Sequence, residues 1–256
     1  MVSWNPQQYL KFADQRSRPC ADLIQHINLE SPRAITDMGC GPGNSTAMLA
    51  RRWPDAQITG LDSSADMIAT ARRTYSHQHW IEADISTWQA AQHVDLIFSN
   101  AALQWVDNHA ALLPQLMKML NPAGALAVQM PANYHIAPAQ TLIRDLAASE
   151  KWRNKFPADI RRWHCHEPEF YYDLLSTNAS KLDLWTSEYI HILNGPEDIV
   201  EWYKGTSLRP YLDNMPVSDQ PKFIAAYQSL IAAAYPPQSD GRILFPFRRL
   251  FLIAYS

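Results

Sequence analysis

Three glycines at alternate positions, Gly39, Gly41 and Gly43, stand in the run Asp37-Met38-Gly39-Cys40-Gly41-Pro42-Gly43-Asn44, after an apolar segment and before one with helical periodicity. Residues without a Cβ take positive φ readily and let a ligand lie against bare main chain, while a helix start behind them offers N–H groups and the positive end of a dipole. That suits the capture of an acidic ligand end. Further along, Asp62, Asp84 and Asn100 each close a short apolar run. Asp62 follows the glycines at about 20 residues, the separation expected of a carboxylate that accepts from both hydroxyls of a ribose. Asp84 is placed to meet an adenine amino group. The glycine spacing alone also fits a nicotinamide-binding turn, but Asn44-Ser45-Thr46 stands where that fingerprint needs its third glycine. A phosphate-bearing dinucleotide is therefore disfavoured, and a nucleoside with an amino-acid tail fits better.

The elements that must position these residues alternate along the chain. Strands are expected over 34–38, 57–62, 79–83, 94–99 and 125–130, the third ending at Asp84 and the fourth at Asn100. Between them, helices are expected over 46–53, capped by Asn44 or Ser45, over 65–74, capped by Ser63 or Ser64, and over 110–120. Strands linked by helical or turn-rich crossovers predict an α/β fold, a doubly wound and mostly parallel sheet. In such sheets ligands bind beyond the carboxyl ends of the strands, where these acids and amides fall. Ahead of the core, a short amphipathic helix within 1–18 carries Tyr9, Arg16 and Arg18, and a second helix covers 19–30. The domain reading is a helical cap at 1–30, a ligand-binding core at 31–131, a helical insertion at 132–181, and core strands at 182–256 interrupted by a helical insertion at 194–241.

At 256 residues, with 47% hydrophobic residues, 18% charged and a formal net charge of −3, the chain has the composition of a soluble globular protein with no strong attraction for nucleic acid. The sequence shows no apolar run of the roughly 20 residues that span a bilayer, and residues 1–18 lack an apolar signal core. With Cys20, Cys40 and Cys165 read as widely spaced thiols, the expected location is the cytoplasm and no membrane partner is expected. The sequence sets no oligomeric state. Nine tryptophans and eleven tyrosines are many, and aromatic wealth serves either a core or the wall of a small-molecule pocket.

The combination of D-x-G-C-G-P-G, strand-terminal Asp62, Glu82-Ala83-Asp84 and Ser99-Asn100 resembles the class I S-adenosylmethionine-dependent methyltransferases. The resemblance implies a seven-stranded sheet with a reversed last strand and S-adenosylmethionine as co-substrate. It also implies that Gly39 and Gly41 pass beneath the methionine part and that Asp62 holds the ribose. Met67 would pack near the adenine, Asp84 and Ile85 frame the base, and Asp37, Cys40, Ser63 and Asn100 complete the donor site. Met67 is equally read as helix core, and Cys40 as a small packed residue rather than a nucleophile.

Segments outside the shared turn narrow the resemblance to family members that esterify a carboxylate of a small tricarboxylic acid. They include Trp4-Asn5-Pro6, Arg16-Ser17-Arg18-Pro19, Leu103-Gln104-Trp105, Tyr171-Tyr172-Asp173, Leu208-Arg209-Pro210 and Arg249-Leu250-Phe251. A carboxylate is already ionised at neutral pH and attacks a sulfonium methyl without a general base, so no catalytic triad is required. Carboxylates that do not react call for arginines, whose planar fork binds them in a bidentate manner. On this reading the acceptor is held by Arg16, Arg18, Arg209 and Arg249, with Tyr9, Gln104, Trp105, Tyr171 and Tyr172 as donors and walls; salt bridges and plain packing are the competing roles. His164-Cys165-His166-Glu167 with Glu169 groups metal-ligand types but lacks a second pair at ligand spacing, so no metal is expected. Three other readings stay open: transfer to another metabolite, a binding module without turnover, and a nicotinamide oxidoreductase.

Overall fold

A computed structural model describes residues 13–157, 160 and 163–256, with side chains described from Ser17 onward. The first helix, α1 (Ala13–His26), runs through Pro19 without interruption and so replaces the expected break between two helices. Residues 1–12 of the segment expected to hold the N-terminal helix, with Tyr9, lie outside the described residues, as does the side chain of Arg16.

From there strands and helices alternate: β1 (Ala34–Met38), α2 (Asn44–Arg52), β2 (Gln57–Asp62), α3 (Ala65–Thr74), β3 (His79–Glu82) and β4 (Val94–Asn100). One tight helical turn, Leu103–Trp105, precedes α4 (His109–Lys118) and β5 (Leu120–Pro131). The second half holds α5 (Pro138–Ala148), α6 (Pro168–Leu175), β6 (Lys181–Leu193), α7 (Pro196–Lys204), α8 (Arg209–Asp213), α9 (Gln220–Ala234) and β7 (Ile243–Tyr255).

The strands form a seven-stranded sheet in the order β3-β2-β1-β4-β5-β7-β6. From β3 to β5 the neighbours pair in parallel, whereas β7 runs antiparallel to β5. Strand order reverses between β1 and β4, which opens a crevice at their carboxyl ends. The central strands are buried on both faces, and their near-continuous apolar runs (Ile35 and Met38 on β1, Leu96 to Phe98 on β4, Ala125 to Val128 on β5) are the pattern a covered parallel sheet requires.

Of the described residues, those up to Pro131 together with His164–Ser187 and Arg249–Ser256 form one compact unit; Ala132–Trp163 and Glu188–Arg248 form a second. Much of the aromatic wealth is core in the second unit. Trp202 packs against His191, Phe245 and Phe247, and Phe223 against Trp152, Phe156 and Tyr211. Among the described residues no helix is long and apolar enough to cross a membrane.

Candidate functional site

The chain turns sharply as it leaves β1. Gly39, Gly41 and Gly43 all have positive φ, +71°, +55° and +96°. At Gly39 a Cβ would lie 2.2 Å from the Ala102 Cβ and 3.6 Å from Ile85 Cδ1, so the turn, the segment after β4 and Ile85 meet there with no room for a side chain. At Gly41 a Cβ would meet nothing within 4 Å among the described residues. Among them, the missing side chain leaves space along the main chain where a ligand can lie.

Asp37 anchors the turn to α2. Its Oδ2 accepts from Ser45 Oγ at 2.7 Å and Thr46 Oγ1 at 2.6 Å, while its buried Oδ1 accepts no bond within the protein. Burial pushes this carboxyl up to about 6; the Thr46 and Ser45 hydroxyls pull the other way, and the nearby Asp62 charge adds to the rise. These two bonds also correct an expectation. Ser45 does not cap α2; the cap position is Gly43 in the left-handed conformation, with no side-chain cap bond. The next helix does follow its sequence signal, since Ser64 caps α3 by accepting from Met67 N–H.

At the end of β2, Asp62 accepts one backbone N–H on each oxygen: Gly41 at 3.0 Å on Oδ2 and Ser64 at 2.9 Å on Oδ1. The carboxylate thus ties the glycine turn to the start of α3, and each oxygen keeps lone pairs for a diol. Burial raises its pKa, against the two N–H bonds that lower it. Ser63, beside it, is exposed, and Met67 is buried on α3. Asp84 lies two residues beyond β3, exposed, with Oδ1 accepting from the N–H and hydroxyl of Ser86; Ile85 is buried. Cys40 packs with Ile68, Ala71 and Trp80, and burial raises its thiol pKa, so a thiolate nucleophile is disfavoured.

A second row of polar groups crosses the sheet beside this turn. Asn100, ending β4, pairs in register with Gln129 on β5, and Gln129 Oε1 accepts from Arg249 Nη1 on β7 at 3.3 Å. Gln129 and Arg249 are both buried, Gln129 in the mostly apolar run of β5. Buried Asn100 Oδ1 and Gln104 Oε1 accept no bond within the protein, whereas Gln104 Nε2 donates to Ala101 O at 2.7 Å. Unlike a lysine ammonium, a guanidinium keeps its charge when desolvated.

A methyltransferase-domain family model matches residues 35–124, the strands and turns just described. The chain is 45% identical over 254 residues to a trans-aconitate 2-methyltransferase of Azoarcus sp. strain BH72, covering 99% of both chains. It is 44% identical over 254 residues to one of Escherichia coli O139:H28, covering 99% of this chain and 98% of that one. The chain belongs to the trans-aconitate 2-methyltransferase family. Among solved structures, the YcgJ protein of Bacillus subtilis shares the fold with a TM-score of 0.62 at 11% identity, covering 94% of this chain and 98% of that one. A putative methyltransferase of Bacillus halodurans does so at 0.58 and 13%, covering 93% and 98%. The expected class I methyltransferase fold, with its reversed strand β7, is the fold observed.

The residues of this family member expected at the acceptor fall into distinct places. Gln104 and Trp105 belong to the turn after β4, and Arg249 on β7 pairs with Pro131 at the end of β5. Arg18 is exposed on α1. Arg209 begins α8 in the second unit, with Nε 3.3 Å from Asp213 Oδ2. Tyr172 is 56% exposed on α6. Tyr171 is a correction: it is fully buried, and its hydroxyl lies between His166 N–H (3.1 Å) and His109 Nδ1 (2.9 Å), committed to protein groups rather than to a substrate. Among the described residues no group of three or more histidines, cysteines, aspartates or glutamates is arranged to hold a metal. The histidine cluster has another role: His164 pairs with Asp107, and His166 stacks on Phe170 with ring centroids 4.0 Å apart.

Two residues of this region had a signal that sequence reasoning passed over. Gln129 is a lone amide in the apolar run Ala125 to Met130, near its carboxyl end. His109 starts a helix shortly after a site turn, but its partner Tyr171 is 62 residues away and no spacing reveals it.

Proposed function

We propose that the protein transfers the methyl group of S-adenosylmethionine to a carboxylate oxygen of trans-aconitate, giving a monomethyl ester and S-adenosylhomocysteine. The single observation that carries the substrate is the full-length identity of 45% to a trans-aconitate 2-methyltransferase. Support for the donor comes from the open cradle at Gly41 beside Asp62, whose two oxygens are already aligned by backbone N–H groups. Asp62 would accept from the ribose hydroxyls, with Asp84 and Ile85 at the base and Met67 beside it. Asp37, Gly39, Asn100 and the exposed Ser63 would border the amino-acid end.

The donor supplies an electrophilic methyl on a sulfonium. The acceptor carboxylate supplies the electron pair, the carbon–sulfur bond breaks toward sulfur, and no proton moves. The chain's task is therefore alignment and exclusion of water. Fixing reactants in an attack geometry removes about 7–11 kcal/mol from a barrier. Because opposite charges neutralise as the bond forms, a water-poor site assists. Arg249 would hold a carboxylate that does not react, with Gln104 and Trp105 forming the adjoining wall; Arg209, and Arg16, Arg18, Tyr9 and Tyr172 from other parts of the chain, would contribute further contacts. The free cysteines Cys20, Cys40 and Cys165 fit a reducing compartment, and we place the reaction in the cytoplasm.

The test is transfer of labelled methyl to a panel of di- and tricarboxylic acids. Label in trans-aconitate at the highest kcat/KM supports the reading. Label in another acid alone replaces the substrate, and donor binding with no label in any acid points to a module without turnover.

A further inference from the structure

An imidazole and a backbone amide from later in the chain reach the carbonyls of the turn Leu103–Trp105. His109, at the first position of α4 and 1% exposed, has Nε2 2.9 Å from Leu103 O; His164 N–H donates to Gln104 O at 2.8 Å. A carbonyl only accepts, so Nε2 carries the proton and Nδ1 is the acceptor. At Nδ1 stands the Tyr171 hydroxyl, 2.9 Å away, and the same oxygen accepts from His166 N–H at 3.1 Å. The bonds thus run in one direction, from His166 N–H through Tyr171 and His109 to the carbonyl that begins the turn.

We infer that His109 and Tyr171 are positioning residues for methyl transfer: together they hold the Leu103–Trp105 turn in the place where it meets the acceptor, through a chain of bonds that is complete only while the imidazole is neutral. The inference rests on the proposed reading that Gln104 and Trp105 wall the acceptor. A proton on Nδ1 would face the Tyr171 hydroxyl proton, and Tyr171 would have to turn away from a bond it now donates. The cation would also be buried at a helix N-terminus, where the dipole opposes it. The groups facing the ring are Tyr171 from α6, His164, Cys165 and His166 from the segment before it, and Asp107, which pairs with His164. Burial lowers the pKa of His109 below its ordinary 6.5, and His166 and His164 push it the same way, against the pull of the Leu103 carbonyl. The bond from Tyr171 to His109 is therefore intact at neutral pH and is lost as pH falls through the lowered value, which breaks the chain of bonds behind the turn.

The test uses the full-length protein and three variants. His109→Leu removes the bond to Leu103 and is expected to raise the trans-aconitate KM about tenfold at pH 8, with S-adenosylhomocysteine affinity within about twofold of wild type. His109→Gln restores a non-titrating donor at the place of Nε2; it should recover most of the loss and abolish the His109 limb of the acid fall in kcat/KM. Tyr171→Phe removes the donor to Nδ1 and should move that limb to higher pH. Hydrogen exchange at the Trp105 and Val106 amides reads the turn without any acceptor, and should quicken in His109→Leu and in acidified wild type but not in acidified His109→Gln. An acid limb unchanged in His109→Gln, or exchange at the turn indifferent to all three variants, overturns the inference. If wild type labels no acid while exchange follows the expected pattern, the substrate reading fails and the inferred role in transfer fails with it, whereas an active wild type with indifferent exchange sinks the inference alone.

Discussion

Asp62→Ala tests the donor site at the residue that joins its parts. In wild type each carboxylate oxygen accepts one backbone N–H, from Gly41 at 3.0 Å and Ser64 at 2.9 Å, and on the proposed reading its remaining lone pairs would accept from the ribose diol. Hydrogen bonds to a charged group contribute about 1.5–3 kcal/mol each. Losing two of them, with water recovering part in the variant, costs about 3 kcal/mol, or roughly a 100-fold rise in the S-adenosylhomocysteine Kd. Calorimetric titration at pH 8 measures it. The two backbone N–H bonds are lost as well, so a denaturant curve is recorded beside each titration. A folded variant that binds the donor product within about threefold of wild type would refute the assignment of Asp62 to the ribose. The same logic gives a pH dependence: wild-type donor affinity should weaken as pH falls through the raised pKa of Asp62.

Other expectations follow from neighbouring residues. Gly41→Ala, at φ +55° with no atom of the described residues within reach of the new Cβ, should lose donor binding at a stability cost of only about 1 kcal/mol. Gly39→Ala drives a Cβ to 2.2 Å from Ala102 and should lower the Tm as well as donor affinity. Asp37, with a folded pKa of about 6 against 3.8 unfolded, keeps its proton in the folded chain where the unfolded chain has released it. Its contribution to stability therefore falls between pH 4 and 6, by about 3 kcal/mol, and Asp37→Asn should gain stability relative to wild type over that window in paired denaturant curves. Arg249→Lys, which keeps the charge but not the fork, should raise the trans-aconitate KM about tenfold with donor affinity intact; equal loss of donor binding would make Arg249 a support of the sheet.

The core of the fold was legible because apolar runs that end in Asp62, Asn100 or a glycine turn mark strands buried on both faces, and helical periodicity between them marks the crossovers. Boundaries slipped where a non-local bond competes with a local one. Ser45 reads as a cap, yet its hydroxyl is drawn to Asp37, buried across the turn, and Gly43 takes the cap position. Separate helices are expected on either side of the 18–19 boundary, but Pro19 lies inside α1, whose buried side carries Cys20, Leu23 and Ile24. The proposed donor residues could be named from the sequence because they lie close together around the carboxyl ends of β1 to β4. The polar row beside them could not, because Asn100 meets Gln129 only by pairing in register, and Arg249, paired with Pro131, reaches Gln129 through its side chain. Tyr171 was singled out through the resemblance carried by Tyr171-Tyr172-Asp173, and only the structure shows that its hydroxyl serves His109.

The central claim is that a carboxylate oxygen of trans-aconitate takes the methyl directly. Incubation with donor carrying a carbon-13 methyl, followed by NMR of the product, tests it in one measurement. The prediction is a single O-methyl ester of trans-aconitate formed one for one with S-adenosylhomocysteine. A label bonded to carbon, or donor consumed with no labelled trans-aconitate, would contradict it.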